Sequence, residues 1–266
     1  MMRRRSGHGD LDIDGTLVNS RDRTIPDSAG RAIRLARAAG HLVYVNSGRP
    51  WCGVDPRVKA MGFHGFVCGC GLYIREGDEI LFRQRLAKDV QQWAVDLVRR
   101  YRLQVMYEGA DHVYFDLTRP LAPQVAAEKA YYDRMGLDTE GDPAGPEADF
   151  DKFVVWTGPG FDLDAFRREV EPGFDLILRE GCLIELVSRG CSKGKAMEAL
   201  MARHGMDRAD CVAIGDSTND LPMLETAGVS VAMGNGDPRI FDRVSFVTAP
   251  VEQDGIAKAL ERLGLI

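Results

Sequence analysis

Short apolar runs alternate with helical stretches over much of this chain, and that alternation limits the kind of sheet it can build. Residues 26–39 (PDSAGRAIRLARAA) set Ile33, Leu35, Ala36 and Ala39 near helical spacing, Gly40 stops the helix, and HLVYVNSGR follows as a strand. VDPRVKAMGF is then helix-like, and GFVCGCGLYI has the character of a strand. Towards the other end the order repeats as SKGKAMEALMARHG, CVAIGDSTND, LPMLETAG, VSVAMGNG and the helical EQDGIAKALERLG. Strands alternating with helices of this length predict an α/β core with a doubly wound, mostly parallel sheet. Such sheets bind ligands at the C-terminal ends of their strands.

Residues 84–188 depart from this order. AKDVQQWAVDLVRRY is helical, but RLQVMYEG, DHVYFDLT, FDKFVVW, FDLILRE and CLIELVS are strand-like, with two short helices among them. An antiparallel α+β domain is expected here, inserted between core segments 1–83 and 189–266, with TEGDPAGPEAD as an exposed loop. A chain of 266 residues, 45% of them hydrophobic, can bury cores for both.

The net charge of -6 argues against a nucleic-acid partner, and the basic run at 3–5 is too short to change that. No apolar run approaches the ~18 residues of a membrane span, and the apolar middle of a signal peptide is missing. A cytoplasmic protein, monomeric or homodimeric, is expected. The six cysteines lack the paired spacing of a zinc site and are expected to be mostly buried thiols.

Four segments at predicted strand ends carry groups that phosphoryl transfer needs. In Asp12-Ile13-Asp14-Gly15-Thr16 one carboxylate can attack phosphorus, and a second, two residues on, can protonate the leaving oxygen and later activate water. In Asn46-Ser47-Gly48-Arg49-Pro50 the Ser47 hydroxyl can meet a phosphate oxygen, and Gly48 lets the backbone come close. Lys193, in the first turn of a helix with Ser192 as N-cap, opposes the helix dipole by roughly 0.3–1 kcal/mol unless an anion lies nearby. Gly215-Asp216-Ser217-Thr218-Asn219-Asp220 follows the apolar CVAI and offers the oxygen ligands that Mg²⁺ prefers.

DIDGTL, NSGR, SKGKA and GDSTNDLPML together resemble the four motifs of the haloacid dehalogenase-like phosphohydrolases. AGVSVAMGNG and EQDGIAKAL resemble C-terminal segments of the Cof-type branch, which carries an α/β cap between its second and third motifs. The resemblance spans all but the first eleven residues. It implies Asp12 as nucleophile and Asp14 as general acid/base. It also implies Mg²⁺ held by Asp12, the Asp14 carbonyl and Asp216, with Asp220 behind them. Thr16, Ser47, Gly48, Lys193 and Asn219 would hold the phosphoryl group. The implied activity is Mg²⁺-dependent hydrolysis of a small phosphorylated metabolite, a sugar phosphate above all, through an aspartyl-phosphate. A phosphomutase and a silent binding protein on the same scaffold are the alternatives. Tyr107, Glu108, Arg119, Lys152, Arg179 and Glu185 are candidates for reading the substrate.

Two positions depart from the pattern. Cys70 stands where the family commonly has Asn. The strand leading to Asp12 should be apolar, yet it is preceded by Arg-Ser-Gly-His-Gly-Asp. An unpaired Asp10 in a poorly built strand is therefore expected, and Asp10→Val is expected to raise stability.

Overall fold

The computed structural model describes residues 7–266, which divide into two compact units. The basic run at 3–5 and Ser6 lie outside the described residues.

The first unit opens with β1 (His8–Leu11), α1 (Asp27–Ala38), β2 (Leu42–Asn46), α2 (Pro56–Lys59), β3 (Gly65–Cys68), β4 (Tyr73–Glu76) and β5 (Glu79–Arg83). The second contains α3 (Lys88–Arg100), β6 (Gln104–Glu108), β7 (Val113–Phe115), α4 (Pro123–Arg134), β8 (Lys152–Trp156), α5 (Leu163–Val170), β9 (Phe174–Arg179) and β10 (Leu183–Ser188). The first unit resumes with α6 (Lys193–His204), β11 (Cys211–Gly215), α7 (Leu221–Thr226), β12 (Val229–Ala232), β13 (Phe246–Val247) and α8 (Gly255–Arg262).

The sheet of the first unit runs β13-β12-β11-β1-β2-β3-β4-β5 and is parallel from β13 to β3. The apolar run from 65 to 74, expected as one strand, is broken in two. Gly69–Gly71 form a turn with Cys70 at φ 58°, and β4 returns antiparallel to β3. On α1, Ala29, Ala32, Ile33 and Ala36 form the buried stripe, and Leu35 falls outside it at 57% exposed.

The first strand is better built than its sequence suggests. All four residues of β1 pair in parallel with both β2 and β11. Asp10 is fully buried and is not unpaired: its carboxylate accepts from His8 Nε2 and from Asn46 Nδ2 at 3.3 Å. Polar residues that look out of place singly in the sequence hydrogen-bond to one another across two strands. The expected effect of Asp10→Val therefore reverses sign. With two donors stripped of their acceptor, thermal unfolding should show a loss of about 1–3 kcal/mol, roughly 3–8 °C.

The second unit is built on an antiparallel sheet of order β7-β6-β8-β10-β9. Tyr107, Phe153 and Val155 pack with Val95 and Val98 of α3 and Phe166 of α5, whereas Met106 and Val154, on the opposite face by strand alternation, pack with Val125 and Tyr132 of α4. Two expectations need correction. Residues 49–54, assigned to the core, belong with this unit, where Cys52 N–H donates to the Ala110 carbonyl at 2.8 Å. The stretch 139–149 has no helix or strand but is not simply exposed, because Thr139 and Ala148 are buried.

Candidate active site

β1 delivers Asp12 to its C-terminal end, where the Asp12 N–H extends the ladder by donating to the Ile214 carbonyl at 3.0 Å. Lys193 is the first residue of α6, and the Ser192 hydroxyl caps the helix by accepting from Lys195 N–H at 3.1 Å. The Lys193 ammonium is 1% exposed and lies between Asp12 Oδ1 at 2.8 Å and Asp220 Oδ1 at 2.5 Å. Two carboxylates thus answer the dipole penalty at this helix start. The other oxygen of Asp220 accepts from Asp216 N–H at 2.9 Å and Ser217 N–H at 3.0 Å, so Asp220 ties the β11 loop to the lysine.

Carboxylate oxygens of Asp12, Asp216 and Asp220 all come within 4.8 Å of one another. Burial, reinforced by Asp220 and Asp12, pushes the Asp216 carboxyl up to about 8. Burial likewise pushes Asp12 up to about 6, against the pull of Lys193. Burial alone would lower the Lys193 ammonium, but Asp12 and Asp220 outweigh it and raise the pKa above its ordinary value. Even with the lysine in place, the site holds more negative charge than it compensates. An all-oxygen donor set in this condition suits a hard divalent cation such as Mg²⁺.

A carboxyl whose folded pKa is raised ionises more readily in the unfolded chain. The metal-free protein is therefore expected to lose stability as pH rises from about 4 to about 8, with no further loss from this group above that. Asp216→Asn should flatten that slope and gain roughly 1–2 kcal/mol at pH 8, read by thermal unfolding in the presence of a chelator.

Around this centre, Gly15 adopts φ +75°, and a Cβ there would stand 2.1 Å from Asp216 Oδ2, so only glycine lets the loop after Asp14 lie against β11's loop. Thr16, expected at the phosphate, is fully buried with its hydroxyl 3.5 Å from Asp216 Oδ1. Asp14 is half-buried and accepts from Arg23 at 2.9 Å. Ser47 is buried, its backbone held by Val67 O and by Cys70 N–H, each across about 3 Å. Gly48 follows it, half-buried. Cys70 supplies that contact through its backbone while sitting in the left-handed region, which Asn tolerates better. Asn219 is buried, and its oxygen accepts from the Ser217 hydroxyl at 2.5 Å, which leaves the amide hydrogens as its remaining donors.

Sequence reasoning missed Arg23, Asn46 and Asn235. Asn235 donates to the Gly15 carbonyl at 2.7 Å and accepts from Val251 N–H at 2.8 Å, so the MGNG segment braces the loop carrying Asp14. The only available signal was an asparagine at or just past a strand end. Of the substrate-reading candidates, Tyr107 belongs to the hydrophobic core of the second unit, and Arg119 donates to the carbonyls of Arg102 and Leu103. The other four join into one network: Lys152 Nζ meets Glu108 at 2.7 Å and Glu185 at 3.0 Å, and Arg179 reaches Glu185 at 3.3 Å.

The sequence profile of the haloacid dehalogenase-like hydrolases matches residues 11–260. The chain belongs to that family. It is 31% identical over 258 residues to the protein named "Putative phosphatase YkrA" of Bacillus subtilis (strain 168), covering 96% of this chain and 97% of that one. It is 26% identical over 266 residues to YitU of the same organism, a 5-amino-6-(5-phospho-D-ribitylamino)uracil phosphatase, covering 94% and 95% of the two chains. Its fold matches that of the subclass IIB sugar phosphatase BT4131 with a TM-score of 0.80 and 20% identity over 98% of this chain and all of that one. As a member of the family the chain is an enzyme, a phosphoric monoester hydrolase. Among the described residues no helix is long and apolar enough to cross a membrane.

Proposed function

We propose that the chain is a Mg²⁺-dependent phosphatase of small phosphorylated metabolites, with Asp12 as nucleophile and Asp14 as general acid/base. The observation that carries this reading is the Lys193 ammonium between Asp12 and Asp220, with Asp216 completing the acidic cluster. The buried lysine opposes the effect of burial on the Asp12 charge and fixes the carboxylate in direction, both of which favour an attacking group. Asp14, half-exposed beside Arg23, is the carboxyl better able to exchange protons with a leaving oxygen and with water. Ser47, Lys193 and the Asn219 amide supply donors for the phosphoryl oxygens. Asp12, Asp216 and the Asp14 carbonyl would hold the metal, with Asp220 fixing the loop behind it. When bound, Mg²⁺ adds positive charge that offsets the repulsion between the carboxylates and an anionic substrate.

The substrate class we favour is a sugar or polyol phosphate. The support is the phosphorylated ribityl chain named in YitU's substrate and the ion-pair network of Glu108, Lys152, Glu185 and Arg179 in the second unit. A hydrolysis screen over sugar, nucleotide and glycolytic phosphates, with and without Mg²⁺, tests both parts. Turnover should require Mg²⁺ and be greatest on phosphorylated polyols or sugars. Equal turnover in a chelator would overturn the metal requirement, and a preference for nucleotides the substrate class. Glu185→Gln is expected to change the ranking of sugar phosphates while leaving a generic aryl phosphate hydrolysed.

A further inference from the structure

The central strands carry buried polar side chains that the reaction itself does not use. His8, Asp10, Tyr44 and Asn46 are each 1% exposed or less, and strand alternation with the parallel register puts them on one face of β1 and β2. A strand buried on both faces ordinarily carries apolar residues there. These side chains converge on α6. The Asn46 amide donates to the backbone carbonyl of Lys193 at 3.0 Å and to Asp10 at 3.3 Å, and Asp10 is bonded in turn to His8. At the far end of the same helix, the Tyr44 hydroxyl donates to Glu76 at 2.6 Å and lies 2.9 Å from His204 Nε2. β2 therefore grips both the first and the last residue of α6. Close packing limits the helix on another side, because a Cβ on Gly194 would come within 2.4 Å of the Pro222 carbonyl.

The Asn46 amide oxygen is buried without a hydrogen-bond partner among the described residues. Leaving it so is unfavourable, and an apolar side chain would serve packing alone better. What Asn46 provides that valine or leucine cannot is a fixed tie between the strand behind the nucleophile and the backbone of the lysine.

We propose that Asn46, oriented by Asp10, is a positioning residue for phosphoryl transfer: it sets the depth of the Lys193 backbone and so the place of its ammonium between Asp12 and Asp220. The inference rests on the reading of Lys193 as part of the phosphoryl site. Small displacements of a catalytic group cost rate without necessarily costing affinity.

The test is a double-mutant cycle on the full chain, with aryl phosphate hydrolysis at saturating Mg²⁺ well below the unfolding temperature. Asn46→Val suits a strand and removes the orphaned oxygen. It should lower kcat about tenfold with KM changed less than about twofold. In a Lys193→Met background the same substitution should change kcat by less than about twofold, because the side chain it positions is gone. Asp10→Asn keeps an acceptor for the Asn46 amide and should stay within about threefold of the parent, whereas Asp10→Val should fall as Asn46→Val does. A kcat for Asn46→Val within about twofold of the parent, or the same tenfold loss in both backgrounds, overturns the proposal. If Lys193→Met itself leaves kcat intact, the reading of the phosphoryl site fails instead. Should Asn46→Val not fold, Asn46→Ala is carried through the same cycle and judged by the same outcomes.

Discussion

Asp12→Asn is expected to reduce phosphate release by about 10⁴-fold or more while the protein stays folded. The amide keeps the shape of the carboxylate but lacks its nucleophilicity and removes one anion from the metal cluster. The fold should tolerate the change for a specific reason. Burial already disfavours the Asp12 charge, and Lys193 keeps Asp220 as a partner at 2.5 Å. Circular dichroism and thermal unfolding should show a native protein with an unfolding temperature equal to or above the parent's. Turnover at the parent's rate would remove Asp12 from the chemistry.

Lys193→Met is expected to act on both rate and stability. Its ammonium faces charge that shifts during transfer, so kcat should fall by about 10²–10³-fold. Methionine fills much of the same space but leaves Asp12 and Asp220 buried without their cation, a loss that for a broken buried pair runs to about 3–5 kcal/mol. The sign of its pH dependence follows. Without the lysine the folded-state pKa of Asp12 rises further above its unfolded value, so the protonated folded form is favoured at low pH. The stability deficit of Lys193→Met should therefore be small near pH 4 and grow as pH rises towards 8. A solvated lysine would leave both kinetics and unfolding unchanged, and that result would refute the geometry of the site.

The alternation of apolar runs with helices was legible because a parallel sheet covered on both faces needs such runs, and LVYVN and CVAIG read as strands directly. The motif residues were legible because their chemistry is concentrated at strand ends. Other features depend on partners distant in sequence. Asp10 looks isolated beside Gly9, and only the register of β1 against β2 brings Asn46 within reach of it. Residues 65–74 read as one strand because periodicity does not reveal a left-handed cysteine between two glycines. Leu35 fits a loose helical pattern, but the stripe facing the core is set by the sheet it covers. For Asn235 the place just past a strand end was visible but its role was not, since its partners Gly15 and Val251 are far away in sequence.

The central claim, a covalent phosphoryl-Asp12 intermediate, is tested most directly by the stereochemical course at phosphorus, using a substrate made chiral with oxygen isotopes. Attack by Asp12 followed by attack of water gives two in-line displacements, each inverting the centre. The account predicts net retention of configuration in the released phosphate. Net inversion would mean that water attacks the substrate directly, and would contradict it.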